Sequence, residues 1–328
     1  MGHVTSPVKP DVLLLAPLPD LLLAPLRAGF TCHDWHHSKD KDGLLNAHGA
    51  GIRAVVGAGG TSYGKSLLAE LPALEIISVF GVGYDGVPLD YCRERGIKVT
   101  NTPDVLTDDV ADIALSLVLM TSRKLLQASR FLLAGSWARE AFELSSKPGG
   151  KRAGILGLGR IGTGIARRLE AIGMQIGYCS RQPQAGVPYT YFPTPAEMAA
   201  WCHYFIVSCP GGDATKSLVN AQVLFALGSE GTLINVARGS VVDENALISA
   251  LQGGFIRSAG LDVYADEPYV PKRLQKMENV VLLPHVGSGT TETRKAMAEL
   301  VVANLTAHFA GKPLPTLVPE LASDSPPE

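Results

Sequence analysis

The chain has 328 residues, 46% of them hydrophobic, which is enough to build two domains with buried cores. Its 29 basic and 31 acidic residues leave a net charge of -2, which favours neither a nucleic-acid nor a membrane partner. Five cysteines, none of them in a C-x-x-C spacing, indicate reduced thiols in a cytoplasmic protein rather than a disulfide framework or a zinc site.

The region from Pro10 to Asn101 predicts one α/β domain. Its strand-like runs VLLL, AVVGAG, IISVFG and KVTN alternate with helical segments, which is typical of a parallel sheet with helices on its faces. Proline and aspartate interrupt the apolar segment VLLLAPLPDLLLAPL, so no membrane span is predicted. The initial hexapeptide MGHVTS matches an N-myristoylation pattern, but one so permissive that the match is weak evidence.

Two motifs in this region allow other interpretations. GGTSYGKS, Gly59 to Ser66, satisfies the P-loop pattern after a strand, so a P-loop NTPase is an alternative function. A P-loop also needs an acidic residue on another strand to help hold magnesium, and Asp262 is the best candidate. The motif HDWHH offers His33, His36 and His37, but no Cys or carboxylate pair completes a tetrahedral set, so we predict no metal site.

A second α/β series follows a long helical run from Val105 to Gly135. Its strand-like segments are RAGILG, MQIGYC, YFIVSCP, TLINVA, AGLDV and VVLLP, and a final helix precedes a Pro-rich tail that is expected to be disordered at its end. We predict an α/β fold of two doubly wound parallel-sheet lobes. Residues 1–103 plus 285–328 would form a flavodoxin-like substrate domain, and residues 104–284 an inserted Rossmann dinucleotide-binding domain.

A dinucleotide fingerprint, G-x-G-x-x-G, opens the second series. Its glycines follow the strand-like run AGIL and precede a helical run; they are Gly157, Gly159 and Gly162. In this context the first glycine allows a tight turn, the second lets a pyrophosphate approach the backbone, and the third lets helix and strand pack closely.

The strand after the fingerprint carries the signal for cofactor choice. NAD-binding sequences usually have an acidic residue about 20 residues after the glycines, where it accepts hydrogen bonds from the ribose hydroxyls. No Asp or Glu occurs from Gln175 to Gln184, and the strand ends instead in Ser180 and Arg181. A guanidinium and a hydroxyl would attract a 2'-phosphate, so we predict NADP(H) over NAD(H).

Three charged residues follow strand-like runs of the second series: Arg238, Glu267 and His285. A guanidinium clamps a carboxylate through two parallel N–H donors, and a histidine delivers a proton near neutral pH. A carboxylate hydrogen-bonded to the imidazole would orient it and favour its charged form. Each residue alone is more often structural, at a helix end, a strand end or the surface, but together they suit a substrate with a carboxylate beside a ketone.

At these residues the sequence resembles the D-2-hydroxyacid dehydrogenase family, and most closely its glyoxylate/hydroxypyruvate reductase branch. The matching motifs are ISVFGVGYDGVPLD, GIKVTNTPDVLTDDVADIALSLVL, GILGLGRIG, INVARGSVVDE, AGLDVYADEP and LLPHVGSGT. They run in order from about Ile76 to Ala310, whereas the residues before Ile76 resemble the family only in their alternation of strands and helices. The sequence departs from the family at Asp104, where glycine is usual, and at Pro88, where a branched aliphatic residue is usual.

The resemblance implies roles for individual residues. Arg238 would bind a 2-keto acid, His285 would protonate the ketone oxygen as a hydride reaches the carbon, and Glu267 would pair with His285. The backbone N–H groups of Val82 and Gly83 would hold the substrate carboxylate, and Ser288 would contact substrate. Cofactor contacts are expected at Thr107, Gly157, Gly159, Arg160, Ile161, Gly162, Ser180, Arg181, Cys209, Pro210, Thr215 and Asp262, the last near the nicotinamide ring.

The sequence therefore predicts NADPH-dependent reduction of a 2-keto acid to the D-2-hydroxy acid, with glyoxylate and hydroxypyruvate as first candidates and bulkier keto acids left open. A non-enzymatic alternative is a dinucleotide-sensing binding protein of the transcriptional corepressor type, which shares this scaffold; the lack of basic clusters weighs against it. The resemblance also implies a homodimer built on the nucleotide domain and the long helix after Asp104. Whether Trp137 reaches a partner subunit or its own core stays open.

Overall fold

The computed structural model describes residues 9–322, so the hexapeptide MGHVTS and the end of the Pro-rich tail lie outside the described residues. The chain divides into two compact units, one combining the residues up to Leu106 with those from Thr290 onward, the other comprising Thr107–Gly289. The second boundary lies after Gly289 rather than after residue 284, so His285 belongs to the second unit. The reason is local, because the backbone N–H of His285 donates to the Asp262 carbonyl at 2.9 Å.

The described residues form twelve strands and twelve α-helices. The strands are β1 (Asp11–Leu14), β2 (Thr31–Asp34), β3 (Ile52–Ala58), β4 (Ile76–Phe80), β5 (Lys98–Thr100), β6 (Arg152–Leu156), β7 (Gln175–Cys179), β8 (Thr190–Phe192), β9 (Tyr204–Val207), β10 (Thr232–Asn235), β11 (Ser258–Leu261) and β12 (Val280–Leu282). The helices are α1 (Asp20–Gly29), α2 (Lys41–His48), α3 (Lys65–Ala69), α4 (Leu89–Glu94), α5 (Thr107–Arg123), α6 (Leu125–Leu133), α7 (Arg160–Ala171), α8 (Pro195–Trp201), α9 (Ala221–Leu227), α10 (Glu244–Gln252), α11 (Lys272–Gln275) and α12 (Thr291–Phe309).

The first unit is built on a parallel sheet of order β2-β1-β3-β4-β5, the flavodoxin-like order. Four of its strands are the apolar runs of the sequence, and they are buried because helices cover both faces of such a sheet. Strand β2 has the sequence TCHD and lacks the apolar run that identifies the others, because it lies at the sheet edge and is only partly buried.

The second unit has a seven-stranded parallel sheet of order β12-β11-β10-β9-β6-β7-β8. Counted from β6, this is the Rossmann order, and the order in which successive strands are added reverses beside β6, where such folds bind dinucleotides. The predicted fold class is therefore confirmed. The short edge strand β8 is not evident from the sequence.

The predicted long helix is interrupted. Lys124 has a φ of 50°, which breaks the run into α5 and α6. Helix α5 buries one face, including Ala114 and Leu117, whereas α6 has no buried residue. The apolar side chains of α6 therefore do not continue the buried face of α5. The break at Lys124 lets the two helices take different directions.

Asp104, where the resemblance leads one to expect glycine, has a φ of 67°. Glycine has no steric penalty in this left-handed region, and aspartate is among the few other residues that tolerate it. The departure is thus compatible with the turn. Between residues 9 and 322, no helix combines the length and the apolar character needed to cross a bilayer.

Candidate active site

Three neighbouring strands of the second sheet bring the charged residues together. Strands β10, β11 and β12 pair in parallel, so their carboxyl ends meet at one edge of the sheet. Arg238 follows β10, Glu267 lies in the loop after β11, and His285 follows β12. Residues that are far apart in sequence therefore share one edge of the sheet.

His285 and Glu267 form a direct pair, with 2.6 Å between Nδ1 and Oε2. The second carboxylate oxygen of Glu267 accepts a hydrogen bond from the backbone N–H of Tyr264 at 3.0 Å. Burial raises the pKa of Glu267. This effect is outweighed by the hydrogen bond and charge of His285, by the Tyr264 N–H and by the charge of Arg238, so the pKa lies below its usual value. Glu267 is thus a carboxylate that fixes the imidazole and leaves Nε2 for a substrate.

The turn that carries His285 is held by Asp262, which is 1% exposed. Its carboxylate oxygens accept the backbone N–H groups of Val286 and Gly287, each at 2.8 Å. Burial raises the pKa of Asp262, while these hydrogen bonds and His285 act in the opposite direction. His285 itself has a left-handed backbone, with a φ of 53°. From the sequence Asp262 is expected as a cofactor contact or as the acidic residue of the P-loop alternative, and the hydrogen bonds by which it holds this turn are visible only in three dimensions.

The Arg238 loop packs against the Glu267 loop. A Cβ added to Gly239 would lie 1.9 Å from the carbonyl carbon of Tyr264, so only glycine allows this approach. Asn235 shapes the loop as well, because its side chain donates to the Arg238 carbonyl at 3.0 Å and accepts from Ala237 N–H at 3.1 Å. Sequence reasoning missed Asn235, Gly239 and Tyr264, although all three lie inside the motifs INVARGSVVDE and AGLDVYADEP.

The fingerprint glycines have three distinct environments. Gly157 has a φ of 93°, and a Cβ there would lie 2.6 Å from Cys209 Cα. A Cβ on Gly162 would lie 2.1 Å from the Gly157 carbonyl oxygen, so the helix packs directly on the turn. At Gly159, where α7 begins, no described atom lies within 4 Å of a Cβ. The turn thus leaves open the backbone that a pyrophosphate would approach, at a helix N-terminus that favours an anion.

The loop after β7 is fixed beside this turn. Gln184 donates from its side chain to the Leu158 carbonyl at 2.9 Å and from its backbone to the Tyr178 hydroxyl at 2.8 Å. Ser180 Oγ donates to the Gln182 carbonyl at 2.6 Å, and Arg181 is exposed. A site for a phosphorylated dinucleotide thus fits the residues present, and Gln184 is a positioning residue that the sequence did not reveal.

The other expected cofactor residues surround the same turn. Arg160 and Ile161 form the first turn of α7, and the Thr107 methyl lies 3.6 Å from a Cβ placed on Gly164 of that helix. Thr215 Oγ1 donates to the Pro210 carbonyl at 2.7 Å. Burial raises the pKa of Cys209 to about 11, so this thiol is neutral beside the turn. Ser288 follows His285 in the turn held by Asp262.

Val82 and Gly83 lie in the first unit, in the loop after β4. The Val82 carbonyl accepts a hydrogen bond from the Asn101 side chain at 2.8 Å. Among the described residues no acceptor is recorded for the N–H groups of Val82 and Gly83. These two donors are therefore available to an anion.

The structure of GGTSYGKS favours an ordinary turn over a P-loop. Two of its backbone donors are used, since Thr61 N–H donates to the Ala58 carbonyl and Tyr63 N–H to the Gly86 carbonyl, both at 3.0 Å. The Tyr63 ring is 1% exposed and packs in the apolar core of the first unit. The segment is thus a strand-to-helix turn held by hydrogen bonds and core packing, which argues against a phosphate cradle.

The histidines of HDWHH pair with separate carboxylates. His33 Nε2 lies 2.6 Å from Asp11, and His37 Nδ1 lies 2.9 Å from Asp34. Within residues 9–322 no three His, Cys, Asp or Glu side chains are grouped to hold a metal ion.

Comparisons with known proteins give a family model and several similar proteins. The family model "D-isomer specific 2-hydroxyacid dehydrogenase, NAD binding domain" matches residues 115–287. A glyoxylate/hydroxypyruvate reductase A of Arabidopsis thaliana is 48% identical, and a hydroxyphenylpyruvate reductase of Plectranthus scutellarioides is 46% identical; each match covers 94% of this chain and 98% of the relative. The crystal structure of an NADPH-dependent glyoxylate/hydroxypyruvate reductase from Sinorhizobium meliloti, in complex with NADP and malonate, is similar with a TM-score of 0.90 and 44% identity, covering 98% of this chain and 100% of that one.

Proposed function

The chain belongs to the D-isomer specific 2-hydroxyacid dehydrogenase family, and from this premise we propose that it reduces 2-keto acids to D-2-hydroxy acids with NADPH. The observation that carries the proposal is the 2.6 Å contact between His285 and Glu267, at the sheet edge that also holds Arg238. This combination supplies a proton donor, the carboxylate that orients it, and a cation for an oxyacid.

Each residue has a separate task in the proposed reaction. When bound, the nicotinamide supplies the hydride that reduces the substrate carbonyl carbon. His285, held at Nδ1 by Glu267, gives its proton from Nε2 to the ketone oxygen. Its side chain is 43% exposed, so solvent can return the proton after each turnover. Arg238 binds the keto acid through its guanidinium, and Val82 and Gly83 donate their N–H groups to the carboxylate.

NADPH is favoured over NADH by the residues at the end of β7. A 2'-phosphate carries close to two negative charges, and a carboxylate at this position would repel it. The loop instead has Ser180 and the exposed Arg181, and Gln184 holds the loop against the glycine turn. The name of the Sinorhizobium meliloti relative, an NADPH-dependent reductase, supports the same choice.

Glyoxylate and hydroxypyruvate are the proposed substrates, on the strength of the Arabidopsis thaliana and Sinorhizobium meliloti relatives. The similarity to a hydroxyphenylpyruvate reductase makes an aromatic keto acid the informative third substrate. A cavity of about 300 Å³ beside the catalytic pair, lined by apolar side chains that include Tyr264, Val270 and Leu282, is the feature to test with larger keto acids.

The test is a panel of keto acids, each assayed with NADPH and with NADH by loss of the reduced nicotinamide absorbance. We expect turnover of glyoxylate or hydroxypyruvate with a higher kcat/KM for NADPH, and chiral chromatography should identify the D product. Tight NADPH binding without turnover of any keto acid would refute the enzyme assignment and favour the dinucleotide-sensing binding protein.

A homodimer is part of the proposal. Several large apolar side chains in and after α6 are exposed: Leu132 (56%), Leu133 (84%), Trp137 (71%) and Leu144 (96%). Such a concentration of exposed apolar surface is typical of a contact with another chain. Sedimentation equilibrium of the purified protein tests the dimer, and a monomer at micromolar concentration would contradict it.

A further inference from the structure

Residues 314–321, here named the C-terminal strap, run back along the edge strand β5 of the first unit. Val318 N–H donates to the Val99 carbonyl at 2.9 Å, and Leu317 forms an antiparallel bridge with Thr100. The Val318 side chain is fully buried. The strap therefore covers an otherwise open sheet edge, directly beside the loop that holds Val82 and Gly83.

One hydrogen-bonded route runs from helix α12 through the strap to this loop. The buried Asn304 donates to the Thr316 hydroxyl at 2.8 Å and accepts from Thr316 N–H at 3.1 Å. The Thr316 hydroxyl donates to the Asn101 carbonyl at 2.7 Å. Asn101 in turn donates from its side chain to the Val82 carbonyl at 2.8 Å. Every bond is partly buried, and Thr316 takes part in each bond that joins α12 to Asn101, so Thr316 is the central link between α12 and the loop.

A second route reaches the loop at Tyr84. Its hydroxyl lies 2.9 and 3.1 Å from the two carboxylate oxygens of Glu320 in the strap. Burial raises the pKa of Tyr84, and the hydrogen bond and charge of Glu320 raise it further, so the phenol is a neutral donor. Arg93 fixes the strap at the same point by donating to the Glu320 carbonyl at 3.2 Å.

The beginning of the loop is held independently of the strap. Thr102 N–H donates to the Gly81 carbonyl at 2.9 Å. A Cβ on Gly81 would lie 3.1 Å from Gly59 Cα, so this residue is pinned by backbone packing. The part of the loop from Val82 to Tyr84 depends instead on the two routes through the strap.

We propose that the C-terminal strap is a positioning element for the reaction: through Thr316 and Glu320 it fixes the backbone N–H groups of Val82 and Gly83. The proposal rests on the proposed function, in which these N–H groups bind the carboxylate of the keto acid. Hydrogen bonds weaken steeply when their distance and angle change, so a loosened loop binds the carboxylate less well. The strap belongs to the first unit, whereas the expected cofactor residues and His285 belong to the second, so its loss should act on substrate affinity alone.

The central comparison is Thr316→Val against Thr316→Ser in the full chain. Valine keeps the shape of threonine but removes the hydroxyl, whereas serine keeps the hydroxyl. Valine loses the hydrogen bonds of the hydroxyl to Asn304 and to Asn101, of which only the second leads to the loop. For Thr316→Val we therefore expect the keto-acid KM to rise about 3- to 10-fold, with kcat within about twofold and the NADPH Kd unchanged. Thr316→Ser should restore the KM of the unaltered protein.

The second route has its own variants, Tyr84→Phe and Glu320→Ala. Because they remove the two ends of one contact, the double variant should raise KM no more than the larger single effect. Combined with Thr316→Val, each should add to its effect, because the routes share no hydrogen bond.

Hydrogen exchange of the peptide containing Val82 and Gly83, measured without substrate, reports on the loop directly. It should quicken in Thr316→Val and stay slow in Thr316→Ser. Equal KM and equal exchange in the two variants would overturn the inference, as would a parallel loss of NADPH affinity, which indicates general destabilisation. If the unaltered protein turned over no keto acid, the proposed function would fall, and the exchange rates alone would decide whether the strap holds the loop.

Discussion

Glu267→Gln is the substitution that tests the proton-donor assignment most directly. The carboxylate accepts two hydrogen bonds, from the Tyr264 N–H and from His285 Nδ1, and carries the negative charge that lies against the imidazole. Glutamine has nearly the same shape but only one acceptor oxygen, so it can satisfy one of these donors while its NH₂ group opposes the other. The variant therefore removes the negative charge and one of the two acceptor oxygens, and it leaves the packing intact.

The magnitude follows from the geometry. Two unit charges whose centres are about 4 Å apart interact with about 4 kcal/mol at an effective dielectric constant of about 20. The side chains of His285 and Glu267 are 43% and 34% exposed, so solvent screening reduces the benefit to about 1.5 kcal/mol. Glutamine removes this interaction together with one of the two acceptors, and about 1.4 kcal/mol corresponds to a tenfold change in rate, so kcat/KM should fall by at least about 10-fold.

The assay is kcat/KM for keto-acid reduction at neutral pH, in the unaltered protein and in Glu267→Gln. We expect a loss of about 10- to 100-fold, because the imidazole loses the charge beside it and an acceptor that orients it. The NADPH Kd serves as control and should not change, because Glu267 lies outside the glycine turn. An unchanged kcat/KM in Glu267→Gln would refute the assignment of His285 and Glu267 as a coupled pair.

Three further predictions address the cofactor, the Arg238 loop and acid stability. Arg181→Ala should lower the NADPH/NADH ratio of kcat/KM by about 10- to 100-fold, with Arg181→Lys in between, because a charge-assisted contact is lost; an unchanged ratio would exclude Arg181 from the phosphate site. Gly239→Ala should cost about 1–3 kcal/mol in urea unfolding and most of the activity, since its Cβ would collide with Tyr264, whereas Gly29→Ala, which meets no described atom within 4 Å, should be close to neutral; equal effects would contradict the packing argument. Burial and the charges of Arg152, Lys151 and Arg257 lower the pKa of His203, whose Nδ1 accepts the Arg152 N–H at 3.2 Å. The folded state thus resists protonation, so the free energy of unfolding should fall as pH drops below about 6.5 and should fall less in His203→Gln; urea midpoints that change equally with pH in both would contradict this.

Local patterns in the sequence determined the fold class and the order of most strands. Apolar runs of strand length are buried wherever helices cover both faces of a parallel sheet, and the glycine fingerprint depends on steric limits within a few residues of one another. Gly162 illustrates this, because a Cβ there would lie 2.1 Å from the carbonyl oxygen of Gly157, whereas the contact of Gly157 with Cys209 forms only once the sheet is assembled. The family motifs also identified Arg238, Glu267 and His285 as candidate site residues from the sequence alone.

Only the tertiary structure decided which of the sequence motifs form the site that their pattern predicts. GGTSYGKS fits the P-loop pattern, yet the buried Tyr63 and the internal hydrogen bonds close its turn. The groups that hold the site in place, Asp262 under the His285 turn and Thr316 beneath the Val82 loop, act through hydrogen bonds to residues remote in sequence. Such bonds impose no periodicity and no composition on the chain, because they depend on distances that exist only after the sheets have formed.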